Sequence, residues 1–133
     1  MIIDALTHIH ADAKSFGDQY DLSPEFLVEN LNESHVDKAI VTAIEGDNKY
    51  CTPTSYVIDC CEKYPDHLIG FASVNPITNA NAVADFEKYI TEYGMRGLKL
   101  HPRHQHLSAD DERIVPVAEK AAELKVPVAI CGS

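Results

Sequence analysis

The chain has 133 residues, enough for one domain with a buried core, and its 45% hydrophobic and 24% charged residues are typical of folded proteins. Its formal net charge of −10 argues against nucleic-acid backbones and anionic membrane surfaces as partners. No apolar run approaches the ~20 residues that a membrane span needs, and the start lacks the basic-then-apolar layout of a signal peptide. We therefore expect a cytoplasmic protein that binds neither nucleic acid nor membranes.

Strand-like apolar segments alternate with stretches of helical periodicity in steps of about thirty residues, the size of a βαβ unit. The apolar segments cover residues 2–7, 39–44, 68–74, 98–101 and 126–131. They are apolar on both faces, as strands of a parallel sheet covered by helices must be. The pattern predicts an α/β fold with a single domain over residues 1–133.

Helix start signals occur between these segments. Ser23-Pro24-Glu25 combines a capping residue, a proline for the first helical position and an acid in the first turn. The apolar stripe of this helix should include Phe26, Leu27 and Leu31. Similar signals predict three more helices, over about 52–64, 79–93 with Asn79 as the cap, and 114–124 after a turn near 108–112.

The final apolar segment is followed only by Gly132-Ser133, so no helix covers it. A flavodoxin-like five-stranded sheet fits the length but normally needs a last helix, whereas a (β/α)₈ barrel needs ~250 residues. We therefore expect the first five strands and four helices of a TIM barrel. The loop 11–22 would then lie on the catalytic face, and open sheet edges would favour homo-oligomer formation.

Two histidines follow the first strand. Side chains alternate along a strand, so Asp4, Leu6, His8 and His10 should share one face. Two imidazoles at a strand end can converge on one metal ion. The alternative is a pair of surface histidines where a strand gives way to a loop.

Four segments together resemble a known family. They are Ile-Ile-Asp-Ala-Leu-Thr-His-Ile at 2–9, Leu-Ile-Gly-Phe-Ala-Ser-Val-Asn-Pro at 68–76, Gly-Met-Arg-Gly-Leu-Lys-Leu-His-Pro at 94–102, and the segment from Pro to Val at 116–128. In order and spacing the chain is similar to the amidohydrolase 2 group of the amidohydrolase superfamily, related to aminocarboxymuconate-semialdehyde decarboxylase. The resemblance implies a TIM barrel in which a divalent metal activates water for the chemistry.

The chain departs from that family at two expected ligand positions. The first strand of the family usually reads Asp-x-His-x-His, which places Leu6 and His8 at the two histidines and leaves His10 one step beyond. That shift moves the pair about 6.6 Å toward the loop. On the fifth strand Cys131 stands where a histidine is expected. Its thiolate could bind zinc, or it could be a small non-ligating side chain.

The end of the fourth strand offers further candidates. Lys99 and His101 share a face and are candidate catalytic groups, although Lys99 is better explained as a polar group facing the barrel interior than as a carboxylated metal bridge. Arg103, His104 and His106 would crowd the active-site mouth, where they could bind an anionic group of a substrate. A solvated loop with incidental histidines is the alternative.

Two hypotheses follow from the resemblance. The first is a metal-dependent enzyme that hydrolyses a C–N or C–O bond, or decarboxylates a small carboxylate without oxidation. Its small-molecule substrate would bind near a divalent metal, expected to be zinc, held by His8, His10 and Cys131. The second is a metal-free, non-catalytic barrel homologue or fragment that acts as a binding or assembly module. The family's sixth-strand histidine and eighth-strand aspartate would lie beyond residue 133.

Overall fold

The computed structural model describes residues 1–132 and contains one parallel five-stranded sheet. The strands are β1 (Ile3–Thr7), β2 (Lys38–Thr42), β3 (Leu68–Ala72), β4 (Gly97–Leu100) and β5 (Val128–Ile130). They lie side by side in sequence order, and every neighbouring pair is parallel. A flavodoxin-like sheet has the order 2-1-3-4-5, whereas sequence order is that of a TIM barrel. The predicted partial barrel is confirmed.

Helices connect the strands. They are α1 (Pro24–Glu33), α2 (Thr54–Lys63), α3 (Ala82–Thr91), the one-turn α4 (Pro102–Gln105) and α5 (Val115–Glu123), with a short 3₁₀ helix (Glu112–Ile114) before α5. The predicted cap of α1 is present, since Ser23 Oγ accepts the Phe26 N–H at 3.3 Å. The interface between the helices and the sheet is the apolar core. It includes Val41, Val57, Phe86, Leu98, Leu100, Val117 and Ala121.

Two helix predictions need correction. Phe26 is 43% exposed and does not belong to the buried stripe of α1. It lies five residues before the buried Leu31, which is about 140° around a helix at ~100° per residue. The N-cap of α3 is Asn81, not Asn79. Asn79 closes the preceding turn instead, because its Oδ1 accepts the Asn81 N–H and its Nδ2 donates to Asp85.

The starts of α2 and α4 also differ from the predictions. Thr52 does not begin α2, since it forms an antiparallel bridge with Ile44. The first N–H of α2, from Thr54, donates to Glu45 Oε1 at 2.9 Å. The segment after His101 was expected to be a loop, yet residues 102–105 form one helical turn with proline at its first position.

The two faces of the sheet carry different side chains. Leu98 and Leu100 pack in the helix-side core, so the alternate residues Lys99 and His101 face the concave side. β1 and β5 each have a strand neighbour on one side only, and β1 also has an uncovered face, since Leu6 is 51% exposed. No helix among residues 1–132 is long and apolar enough to cross a membrane.

Candidate functional site

A cleft of about 510 Å³ opens at the carboxyl ends of the strands, on the side where barrel enzymes place their active sites. It is lined by His8, Ile9, His10, Phe16, Leu22, Ile44, Asn48, Tyr50, Thr52, His101, Arg103 and His104. Within residues 1–132 no carboxylate lines it, although the chain as a whole has a net charge of −10. The cleft therefore suits a ligand with an anionic group.

His8 extends from the end of β1 and is oriented by β2. Its Nδ1 lies 3.1 Å from Oγ1 of the buried Thr42, so Nε2 remains for another partner. Packing against the strand ends and the nearby Lys99 ammonium lower the pKa of His8, although part of the residue is open to solvent. The imidazole is therefore neutral at pH 7, the form that can bind a metal.

His10 lies in the loop after β1, on the same side of the chain as His8, while Ile9 between them is buried in the core. Its Nδ1 is 3.0 Å from both the carbonyl oxygen and the amide nitrogen of Asp12. Its Nε2 is buried and has no hydrogen-bond partner in the described part of the chain. When the proton is on Nδ1 and donated to the carbonyl, Nε2 offers a lone pair, as in many histidine–metal contacts.

His101 follows β4 and lies close to three other basic groups. Burial, together with His104, Lys99 and His8, lowers the pKa of His101 to about 4. Its Nδ1 is buried and unpartnered among residues 1–132. Lys99, at 3% exposure, supplies positive charge beneath these rings. The two candidate catalytic residues thus lie together, with a neutral imidazole next to a buried lysine.

The backbone of His101 is held by Gln105, which sequence reasoning did not single out. Gln105 is 1% exposed, and its Oε1 accepts the His101 N–H at 2.8 Å. Its Nε2 donates to the Val74 carbonyl at 2.8 Å. Because Val74 follows β3, this side chain links the ends of two neighbouring strands and sets the position of His101.

The three residues expected to bind an anion lie in different places. Arg103 and His104 line the cleft, and the His104 ring packs edge-on against His101 with centroids 4.3 Å apart. His106 is not among the cleft residues. Its Nε2 lies 3.2 Å from the Asp47 carboxylate, beside a separate cavity of about 190 Å³. Direct contact of His106 with a ligand in the main cleft is therefore not favoured by this geometry.

Cys131 follows β5, and its N–H donates to the Leu100 carbonyl at 3.1 Å. Its thiol is not among the groups that line the cleft. Among residues 1–132 no three His, Cys, Asp or Glu side chains are placed to hold one metal ion. The orphaned Nε2 of His10 and the oriented ring of His8 fit part of a metal site, but the described residues do not complete one.

Comparison with known proteins identifies the family. The Amidohydro_2 family model, described as amidohydrolase, matches residues 3–133. The chain belongs to the amidohydrolase family. No curated protein matches this amidohydrolase chain significantly.

Solved structures share its fold at low identity. One is 5-carboxyvanillate decarboxylase from Novosphingobium aromaticivorans, complexed with manganese and 4-hydroxy-3-methoxy-5-nitrobenzoic acid, at 17% identity and TM-score 0.76 over 98% of this chain and 49% of that one. Another is 2,6-dihydroxybenzoate decarboxylase from Rhizobium, at 15% identity and TM-score 0.73 over 96% and 48%. A third is an uncharacterized TIM-barrel protein from Bordetella bronchiseptica, at 18% identity and TM-score 0.76 over 97% and 54%. The amidohydrolase chain thus spans about half the length of these structures.

The structure adds residues that the sequence had not indicated. Thr42 orients His8, while Asn48, Tyr50 and Phe16 complete the wall of the cleft. Phe16 and Tyr50 come from different loops, and their ring centroids are 4.7 Å apart. Their positions in the sequence could have indicated them, because Phe16 lies in the loop expected on the catalytic face and Asn48 lies in the loop after the next strand.

Proposed function

We propose that this chain forms the substrate-facing part of a metal-dependent amidohydrolase-type enzyme. The enzyme would hydrolyse a C–N or C–O bond, or remove carbon dioxide from a small carboxylate. The observation that carries the proposal is the cleft itself, with the neutral imidazoles of His8 and His101, the cationic Arg103 and, among residues 1–132, no lining carboxylate. Family membership and the decarboxylase fold neighbours support the same class of chemistry.

Different residues in and next to the cleft would bind the anionic group and the apolar body of a substrate. Arg103 can pair with a substrate carboxylate through its planar guanidinium, and the positive charge of Lys99 favours an anion nearby. The apolar body of the substrate would rest on Phe16, Leu22 and Ile44. His101, neutral at pH 7, also lines the cleft, but its unpartnered Nδ1 is buried and does not face the substrate.

The metal in this proposal is a divalent ion, with zinc or manganese as the two candidates, and His8 and His10 would supply two of its ligands. A bound ion would act as a Lewis acid on the carbonyl or carboxyl group of the substrate. Cys131 would be a third ligand only if its thiol approached the cleft, and the remaining ligands would have to come from outside residues 1–132.

Metal content is the direct test. Purified protein should be incubated with equimolar Zn²⁺ or Mn²⁺, desalted and analysed for metal, beside the His8→Ala and His10→Ala variants. We expect retained metal in the wild type and a loss in both variants. His35→Asn is the matched control, because His35 is an exposed histidine at the opposite ends of the strands.

The alternative function is a metal-free binding or assembly module. It is favoured by the absence of a three-ligand cluster in residues 1–132. No retained metal in the wild type, together with unchanged stability of His8→Ala, would support that module and contradict the enzyme.

A further inference from the structure

We propose that Asn48 is a positioning residue that selects the tautomer of His104. In this arrangement the neutral His104 ring carries its proton on Nε2, and Nδ1 is used inside the protein. The edge of the cleft formed by Arg103 and His104 therefore offers hydrogen-bond donors. The binding of a substrate at this edge rests on the proposed function, but the tautomer of His104 does not.

The orientation of the Asn48 amide follows from the backbone. The Tyr50 N–H donates to Asn48 Oδ1 at 3.0 Å, in a local turn that needs an oxygen at that position. The other end of the amide, Nδ2, must then face His104 Nδ1, which lies 2.7 Å away. Because an amide nitrogen has no lone pair to accept a proton, His104 Nδ1 has to be the acceptor.

The consequence for His104 is a definite proton position. A neutral imidazole has one donor and one acceptor nitrogen, so an accepting Nδ1 leaves the proton on Nε2. His104 Nε2 has no hydrogen-bond partner within residues 1–132, and the ring borders the main cleft. The donor is thus available to a group that binds there.

Neighbouring contacts hold the loop of Asn48 against the turn that carries His104. A Cβ on Gly46 would lie 2.6 Å from the His104 carbonyl oxygen, so only glycine allows this approach. Immediately before Asn48, the Asp47 carboxylate lies 3.2 Å from His106 Nε2. His106 has φ 55°, an unusual value for a residue with a side chain. Together these contacts hold the Asn48 amide next to the His104 ring.

The ligand consequence concerns the polarity of this edge. Arg103 has only donors, and an Nε2–H on His104 adds one more next to it. A carboxylate or another oxyanion can accept from both, whereas a donor-rich group would find no acceptor on these two side chains. The proposed tautomer therefore strengthens the preference of the cleft for an anionic group.

The test is the substitution Asn48→Asp, observed by nuclear magnetic resonance of metal-free protein at alkaline pH, where imidazoles are neutral. Aspartate keeps an oxygen for the Tyr50 N–H but replaces the Nδ2 donor with a second acceptor. Long-range proton–nitrogen spectra report which ring nitrogen carries the proton. We expect Nε2–H for His104 in the wild type and a change to Nδ1–H in the variant.

Asn32→Asp is the matched control. His67 Nε2 lies 3.2 Å from Asn32 Oδ1, so the asparagine already acts as the acceptor and the same substitution should leave the His67 tautomer unchanged. Nδ1–H on wild-type His104, or an unchanged His104 in Asn48→Asp, would overturn the proposal. The wild-type spectrum decides the matter even if the variant does not fold. Because no metal is present, a failure of the proposed enzyme function would not alter these results.

Discussion

Substitution of Gln105 by leucine tests whether one buried side chain holds the candidate site together. Leucine fills most of the same space but removes three hydrogen bonds, to the His101 N–H, the Val74 carbonyl and Ser73 Oγ. A buried backbone group left without a partner costs about 1–3 kcal/mol. Two such groups together cost about 2–6 kcal/mol, and because the His101 N–H is only partly buried we expect a loss of about 2–4 kcal/mol in the free energy of unfolding.

Urea unfolding followed by circular dichroism measures this loss. With a slope of about 2 kcal/mol per molar urea, in the middle of the usual range, the midpoint should fall by about 1–2 M. The control is Gln19→Leu, at the only other glutamine of the chain, which is exposed and should change stability by less than about 0.5 kcal/mol. A Gln105→Leu midpoint equal to that of the wild type would refute the claim that Gln105 links the ends of β3 and β4.

Three further predictions concern packing, pH and association. Gly97→Ala should destabilise the protein by about 1–3 kcal/mol in thermal unfolding, because a Cβ at residue 97 would lie 2.6 Å from the Phe71 ring. Gly70→Ala should cost less, since its Cβ would meet the flexible Met95 side chain. Equal losses of stability in the two variants would contradict this. The pKa of His101 is lowered to about 4 from its ordinary 6.5, so between pH 4 and pH 6.5 the unfolded state binds more protons than the folded state. The free energy of unfolding should therefore fall as pH drops from 6.5 to about 4, and His101→Asn should reduce that slope; an unchanged slope would be the contrary result. The unpaired edges of β1 and β5, together with their exposed apolar side chains (Leu6 51%, Ile130 43%), should promote self-association. Size-exclusion chromatography with light scattering can measure this, and a stable monomer at all concentrations would count against it.

Much of the fold could be predicted because its signals are local. Apolar runs of strand length and the capping sequence before α1 lie within a few residues, and the structure confirms both. The errors arise where one local signal competes with another. Phe26 is apolar but lies on the outer face of α1. The helical turn at residues 102–105 is too short to show helical periodicity in the sequence.

The site was less predictable because it depends on contacts between distant residues. His8 and His10 could be singled out as neighbours at the end of one strand, but the orientation of His8 by Thr42 joins residues 34 positions apart. The contact between Asn48 and His104 spans 56 positions. The positions of Thr42 and Asn48 in the sequence do not indicate that either residue contacts a histidine. Only folding of the sheet brings them next to His8 and His104.

Binding of a divalent metal by His8 and His10 can be tested by adding Mn²⁺ to the protein and recording the histidine ring resonances. A paramagnetic ion broadens the signals of nearby nuclei far more than those of distant ones. We expect the His8 and His10 signals to broaden at substoichiometric Mn²⁺, while those of His35 and His67, near the opposite ends of the strands, stay sharp. Equal broadening of all four rings, or none at equimolar Mn²⁺, would contradict it.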